Sequence, residues 1–325
     1  MGYGQFIQDP CVKLCKKLAE ITRSPLNKTY LVSFGTVAVE GALKLAKYYT
    51  GREEIVYCKL SYHGSPMGSM SIMEYEKNKR PFRSLLPLVK FITFNQIDEF
   101  IYSITDKTSC VILETIQSYS GVVLPNNFFL KKVKKQCKKR NSLMILDEIQ
   151  TGFKKTGKFF AFEHYGIVPN ILIMGKGMGE GIPISGFIMS SDKIMKYFSD
   201  DVPMGHLTTF GGNSVAASVS LTTFNQLIHF KIIEKVSIKK KWIRKYLVHD
   251  QIKNIHGKGL LLSFELKIKN HVDEVLQSCI KQGLIIFRFL FHSKFFRISP
   301  PLTITKKEIK KRCSIIIECL NNFKK

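Results

Sequence analysis

Short apolar runs alternate with longer amphipathic stretches through the first two thirds of this chain. Leu31-Val32-Ser33 leads into a helix-patterned stretch over 37–49, and 54–59 reads as a strand. Residues 109–114 form another strand, followed by a helix over 128–140 and a strand over 143–147. Ile171-Leu172-Ile173-Met174 and Gly186-Phe187-Ile188-Met189 add two short apolar strands separated by a Gly- and Pro-containing loop. This alternation predicts an α/β fold, a mainly parallel sheet with helices on both faces. Ligands of such sheets gather at the carboxyl ends of strands, where Asp147 and Lys176 fall.

From Asn213 a helical stretch runs over 216–230 and on to Leu247, as a connection between domains. Beyond it, Ile255-His256-Gly257-Lys258-Gly259-Leu260-Leu261-Leu262-Ser263-Phe264-Glu265-Leu266 reads as a turn and then a strand. A helix over 272–282, short strands at 284–287 and 296–301, and a final helix over 306–322 complete a small α+β domain. The pattern predicts a large domain over 1–225 and a small one over 226–325. There is no internal repeat and no low-complexity tract.

Charge changes this picture little. The 325 residues carry 50 Lys and Arg against 25 Asp and Glu, a formal net charge of +25. An excess of that size raises the question of nucleic-acid binding. The densest run, 131–140, nevertheless sits on a pattern with Leu130, Val133 and Cys137 at helical spacing, so it reads as one solvated helix face. No finger, RNP or arm motif accompanies it, and the chain is expected to bind neither nucleic acid nor membrane. The eight cysteines include no Cys-x-x-Cys pair and several stand on apolar faces, the pattern of reduced thiols in a cytoplasmic protein. No His-Glu-x-x-His or other ligand spacing appears, so no metal is expected. The first twenty residues lack a basic segment followed by an apolar core, and no apolar run reaches membrane-spanning length, so neither a signal peptide nor a spanning helix is expected.

The candidate chemistry centres on Lys176 in Ile173-Met174-Gly175-Lys176-Gly177-Met178-Gly179, with Asp147 standing 29 positions earlier in Leu146-Asp147-Glu148-Ile149-Gln150. A P-loop would need Gly where Asn170 stands and Ser or Thr where Gly177 stands, so this is not one. Alone, a lysine between glycines is an exposed turn. An amine at one strand end beside an acid at another suits pyridoxal phosphate chemistry. There the lysine forms a Schiff base with the aldehyde, and the acid keeps the pyridine nitrogen protonated.

Three segments support this: 146–153, the run Thr156-Gly157-Lys158-Phe159-Phe160-Ala161-Phe162-Glu163-His164-Tyr165-Gly166 continuing to Ile171, and the Lys176 segment. Together they resemble the class III, or subgroup II, aminotransferases of the fold-type I pyridoxal phosphate enzymes, most nearly the acetylornithine and ornithine aminotransferases. The resemblance runs from about Tyr3 to the C-terminus and weakens over 228–254. It implies a seven-stranded-type large domain with a small C-terminal α+β domain, pyridoxal 5'-phosphate as cofactor and a homodimer. It assigns Lys176 as Schiff-base lysine and proton carrier, Asp147 as partner of the pyridine nitrogen, Gln150 near the ring hydroxyl, and Tyr62 stacked on the ring with His63 beside it. Gly35 and Thr36 match the phosphate-binding turn, and Thr209 matches a threonine reaching the neighbouring subunit's phosphate. Arg297, in Phe296-Arg297-Ile298-Ser299-Pro300-Pro301, matches the arginine that grips a substrate carboxylate, and Glu114 is placed with it on the substrate side.

The chain departs from that pattern in several places. Phe34 stands where a small Ser or Thr is usual, Val37 where Glu is usual, and Glu180 where Gly is usual. Ser118 and Tyr119 replace a Gly-Glu pair whose Glu usually pairs with the arginine matched by Arg297, which is expected to alter the handling of distal amines against 2-oxoglutarate. Phe34 is expected to weaken the hold on phosphate. Relatives carry several dozen residues before the segment matched by Tyr3 to Lys17, so either a late start or a shortened form with an open site is expected. The resemblance implies amino transfer from an N-acetylornithine-type donor to 2-oxoglutarate in arginine or lysine biosynthesis. Ornithine, 4-aminobutyrate or succinyl-diaminopimelate as donor, a non-catalytic relative, and a basic nucleic-acid binder stand as alternatives.

Overall fold

The computed structural model describes residues 6–73, 76–126, 128–190, 194–195, 205–267, 272–292 and 294–322; Tyr3, where the resemblance begins, lies outside them. The chain divides into two compact units. The first comprises 1–115, 125–153 and 160–226; the second comprises 116–124, 154–159 and 227–325.

The first unit is built on strands β1 (Lys28–Val32), β2 (Glu54–Cys58), β3 (Val89–Ile92), β4 (Thr108–Glu114), β5 (Leu143–Asp147), β6 (Ile171–Met174) and β7 (Ser185–Met189). They form a seven-stranded sheet in the order β1-β7-β6-β5-β4-β2-β3. Only β7 runs against the rest, pairing antiparallel with both β1 and β6. All seven residues of β4 and all five of β5 are buried, as continuous apolar runs in a sheet covered on both faces require. The helix Gly35–Thr50 lays Ala38, Val39, Ala42, Leu43, Leu45 and Ala46 into the core. Burying each larger aliphatic there contributes about 1.5–3 kcal/mol. The lysine-rich helix is Phe129–Lys139, with Leu130, Val133 and Cys137 buried. The strand Val89–Ile92 and the helices Asp9–Ile21 and Ile97–Ser103 add to the elements read from sequence.

The second unit holds β8 (Ile252–Lys258), β9 (Leu261–Leu266), β10 (Phe287–Arg288) and β11 (Phe295–Ile298), an antiparallel sheet in the order β10-β11-β9-β8. The helices Ile232–Tyr246, Val272–Lys281 and Lys306–Asn321 surround a core that includes Leu262, Phe264, Val275, Phe296, Ile309 and Ile316. The last helix begins at a capping box in which Thr305 Oγ1 accepts from Glu308 N.

Two sequence expectations are corrected. The stretch expected to run helically from Ala216 to Leu247 is two helices, Ser214–His229 and Ile232–Tyr246. The break falls at Lys231, whose φ of 47° cannot continue a right-handed helix. The segment at Ile255, expected as a turn, is the end of β8. Its residues pair with β9 from Ile252↔Leu266 to Lys258↔Leu261, so the turn lies at Gly259 and Leu260 instead.

Candidate active site

Asp147 closes β5 with its carboxylate buried, 5% exposed. Its Oδ1 accepts the Ile149 N–H at 2.9 Å, and its Oδ2 lies 2.8 Å from His63 Nδ1. A carboxylate only accepts, so in this contact His63 Nδ1 is the donor. Nε2 is buried and has no hydrogen-bond partner among the described residues. On the neighbouring strand, β6 pairs Ile173 with Asp147 and ends at Met174, two residues before Lys176. Lys176 opens a short 3₁₀ turn, Lys176–Met178, at a φ of 46° with its side chain exposed. A lysine in the left-handed region costs about 1–2 kcal/mol.

Two glycines let the backbone close around Ile149. A Cβ at Gly35 would stand 2.8 Å from Ile149 Cδ1, and one at Gly175 would stand 2.7 Å from Ser185 Oγ and 3.5 Å from Ile149 Cγ1. The turn opening the helix Gly35–Thr50 and the turn preceding Lys176 therefore close on one side chain, directly after Asp147.

No side chain caps the helix Gly35–Thr50, whose cap position is Phe34. Its first-turn N–H groups are thus left to an anion. The Phe34 ring is 57% exposed. Thr36 Oγ1 lies 3.3 Å from Ser69 Oγ, and Glu40 Oε1 accepts from both Ser69 N, at 2.6 Å, and Ser69 Oγ, at 2.7 Å. This tie between the helix start and the short helix Met67–Ser71 went unread in the sequence. Its one signal is the spacing of Thr36 and Glu40, a helical turn apart.

Tyr62 is half-buried; its hydroxyl lies 3.2 Å from Ser65 Oγ, and its N–H donates to Glu114 Oε1 at 3.2 Å. Glu114 ends β4 in register with Asp147 and is buried, its carboxylate engaged by that backbone. Gln150 is half-buried in the turn after β5, and Thr209 is exposed on a turn. Arg297 belongs to the second unit, on β11. Of the residues singled out from sequence, the structure thus joins His63 to Asp147 and Tyr62 to Glu114. Glu180 adopts a φ of 42°, a conformation that glycine takes without cost.

Glu148, beside Asp147, is fully buried and accepts from Ala161 N, Phe162 N, Thr115 Oγ1 and Thr151 Oγ1. Burial pushes its carboxyl up to about 7, against those four hydrogen bonds, which pull it down. A carboxyl raised in the folded state opposes folding once the unfolded chain ionises. Its cost grows as pH rises from about 4.5 to about 7 and reaches about 3 kcal/mol above that window. Glu148→Gln should remove this slope, at the loss of one accepted N–H bond at every pH. Urea unfolding at pH 5 and pH 8 checks it: equal changes in stability for wild type and variant would refute the assignment.

The residues present fit pyridoxal phosphate. Each oxygen of Asp147 carries one bond and keeps room for a ring N–H, Lys176 offers an exposed amine one strand away, and an uncapped helix start suits a phosphate.

The class-III aminotransferase family model matches residues 1–320. The chain is 34% identical over 288 residues, 86% of its length and 73% of the relative's, to a LysW-aminoadipate semialdehyde/glutamate semialdehyde transaminase of Sulfurisphaera tokodaii. It is 34% identical over 298 residues to the acetylornithine aminotransferase of Listeria monocytogenes, covering 90% of this chain and 75% of that protein. Among solved structures, the ornithine aminotransferase of Toxoplasma gondii ME49 superimposes with a TM-score of 0.88 at 26% identity, over 98% of this chain and 77% of that one. The chain belongs to the class-III aminotransferases, enzymes that depend on pyridoxal 5'-phosphate.

Proposed function

We propose that the chain moves an amino group from N-acetylornithine, or a donor with a similar distal amine, to 2-oxoglutarate, giving a semialdehyde and glutamate. The observation that carries this reading is the placement of Lys176 and Asp147 at the ends of adjacent strands, in a chain about a third identical to acetylornithine aminotransferases. The relative that acts on aminoadipate semialdehyde, equally close in identity, favours a longer donor as the second reading. On the same basis the steps belong to arginine or lysine biosynthesis.

In this reading residues 1–225 form the cofactor-carrying large domain and 226–325 the small one. The cofactor, when bound, supplies an aldehyde to capture the donor amine and a pyridine ring that draws off negative charge. Lys176 Nζ removes the proton from the donor carbon that bears the amine and returns it to the acceptor carbon in the second half. Asp147 holds the ring N–H, while His63 and the Ile149 N–H fix its carboxylate. Gly35 and Thr36 present backbone N–H groups to the phosphate, Tyr62 covers the ring, and Gln150 meets its hydroxyl. Arg297 takes the substrate carboxylate through paired N–H bonds, and Glu114 is assigned to substrate binding.

A homodimer completes the site, with Thr209 reaching the other subunit's phosphate. In support, Phe6, Ile7, Val12 and Leu207 are all more than half exposed around a cleft of about 470 Å³. All eight cysteines are unpaired thiols, in keeping with the cytoplasm. No helix among the described residues is long and apolar enough to cross a membrane.

Half-reactions of the cofactor-loaded protein with N-acetylornithine, ornithine, 4-aminobutyrate, succinyl-diaminopimelate and aminoadipate semialdehyde's amine test the donor. Light scattering on the same sample gives the oligomer. Turnover of N-acetylornithine below that of every other donor would sink the leading assignment, and a monomeric mass would sink the dimer.

A further inference from the structure

Arg297 sits in a setting made by aromatic rings. Its Cζ lies 5.7 Å from the centroid of the Tyr119 ring and 5.8 Å from that of Phe287. Phe287 is its direct partner across the antiparallel β10–β11 pair, so the two side chains share a face. Tyr119 comes from the 116–124 segment of the same unit. That segment is closed by reciprocal Gln117 and Val123 backbone hydrogen bonds at 3.0 Å, with Gly121 against Phe295. Arg297 also borders a cavity of about 290 Å³ whose walls include Leu284, Ile286, Ile304 and Ile309. Among the described residues no carboxylate lies within ion-pair distance of Arg297.

Ring faces attract a guanidinium through their quadrupoles and supply no negative charge. They hold the group in place while its in-plane N–H edge stays available for a planar, two-oxygen acceptor. An arginine paired with an internal carboxylate must break that pair before it takes a ligand; here no such exchange stands in the way. The apolar cavity wall strengthens the pairing by keeping water from one side.

We propose that Tyr119 and Phe287 are positioning residues that keep Arg297 open throughout the cycle, as an ungated receptor for the carboxylate of the oxo-acid acceptor. This rests on the assignment of Arg297 to the substrate carboxylate. An acid that occupies Arg297 then shuts out donor and acceptor alike. A dicarboxylate that lacks the oxo group, such as glutarate, should inhibit competitively against both.

The test uses the full-length, cofactor-loaded protein with 2-oxoglutarate kinetics and glutarate binding by calorimetry. Tyr119→Phe keeps the ring and should leave both within about twofold. Tyr119→Glu supplies an internal counter-ion and should raise the 2-oxoglutarate KM and the glutarate Kd about tenfold or more, with kcat at saturation little changed. Tyr119→Gln, similar in length and uncharged, should show less than half of that effect on a logarithmic scale. It also gives the reading if the Glu variant fails to fold, because loss of ring contact alone should still weaken glutarate by about threefold. Unchanged glutarate affinity in both Tyr119→Glu and Tyr119→Gln, or kcat falling with KM fixed, overturns the proposal. A wild-type protein that turns over no 2-oxoglutarate overturns the assigned reaction instead.

Discussion

Lys176→Ala should lower transamination by about 10⁴-fold and abolish the long-wavelength absorption band that forms when the protein is mixed with pyridoxal phosphate. The expectation follows from placement. Lys176 is exposed, stands two residues past the end of β6, and is held at a φ of 46° by a turn whose preceding glycine is packed against Ser185 and Ile149. The backbone is thus committed to one direction for this side chain. Folding should be spared, because alanine removes an exposed amine and leaves the left-handed strain as it was. Spectra, kinetics and a thermal melt on one preparation read all three effects. A variant that keeps the band, or keeps activity within tenfold of wild type, would remove Lys176 from the centre of the chemistry.

Asp147→Asn should lower kcat/KM by about 10²–10³-fold while keeping the protein folded. Asparagine preserves the shape and keeps one acceptor oxygen, which can still take the Ile149 N–H now bound to Oδ1. The other position becomes an NH₂ facing His63 Nδ1, which at present donates across 2.8 Å. Two donors cannot share that contact, so His63 must carry its proton on Nε2, the atom without a partner among the described residues. The buried N–H left there should cost about 1–3 kcal/mol of stability. The catalytic loss has a separate origin: a neutral amide no longer holds a proton on the ring nitrogen. Urea unfolding and steady-state kinetics separate the two. Activity within threefold of wild type would show that Asp147 serves only to orient His63.

Much of the first unit was legible because its strands are buried on both faces. Leu143–Asp147 and Ile171–Met174 stand where the apolar runs placed them, since a central parallel strand leaves little choice of residue. The half-exposed strand Val89–Ile92 carries no such run, and the hydrophobic pattern did not mark it. In the second unit the break at Lys231 was invisible for a different reason. Apolar periodicity continues on both sides of it, and nothing about a lysine announces a left-handed residue.

The chemistry divides in the same way. Residue types and their spacing pointed to Lys176 and Asp147, because an amine and an acid after apolar strand-like runs are properties of local sequence, whereas Arg297 was singled out only by the family resemblance. Their surroundings belong to the tertiary structure. The His63 to Asp147 bond joins residues 84 positions apart, the Glu40 carboxylate reaches Ser69, and Gly35 and Gly175 close on Ile149 from different turns. The sequence showed Tyr119 only as a departure from a family pattern. Folding put its ring beside Arg297, because the loop that carries it closes within the C-terminal unit. Short-range pattern determines which atoms are available; long-range packing alone determines which of them meet, since contacts between distant segments leave no period in the chain.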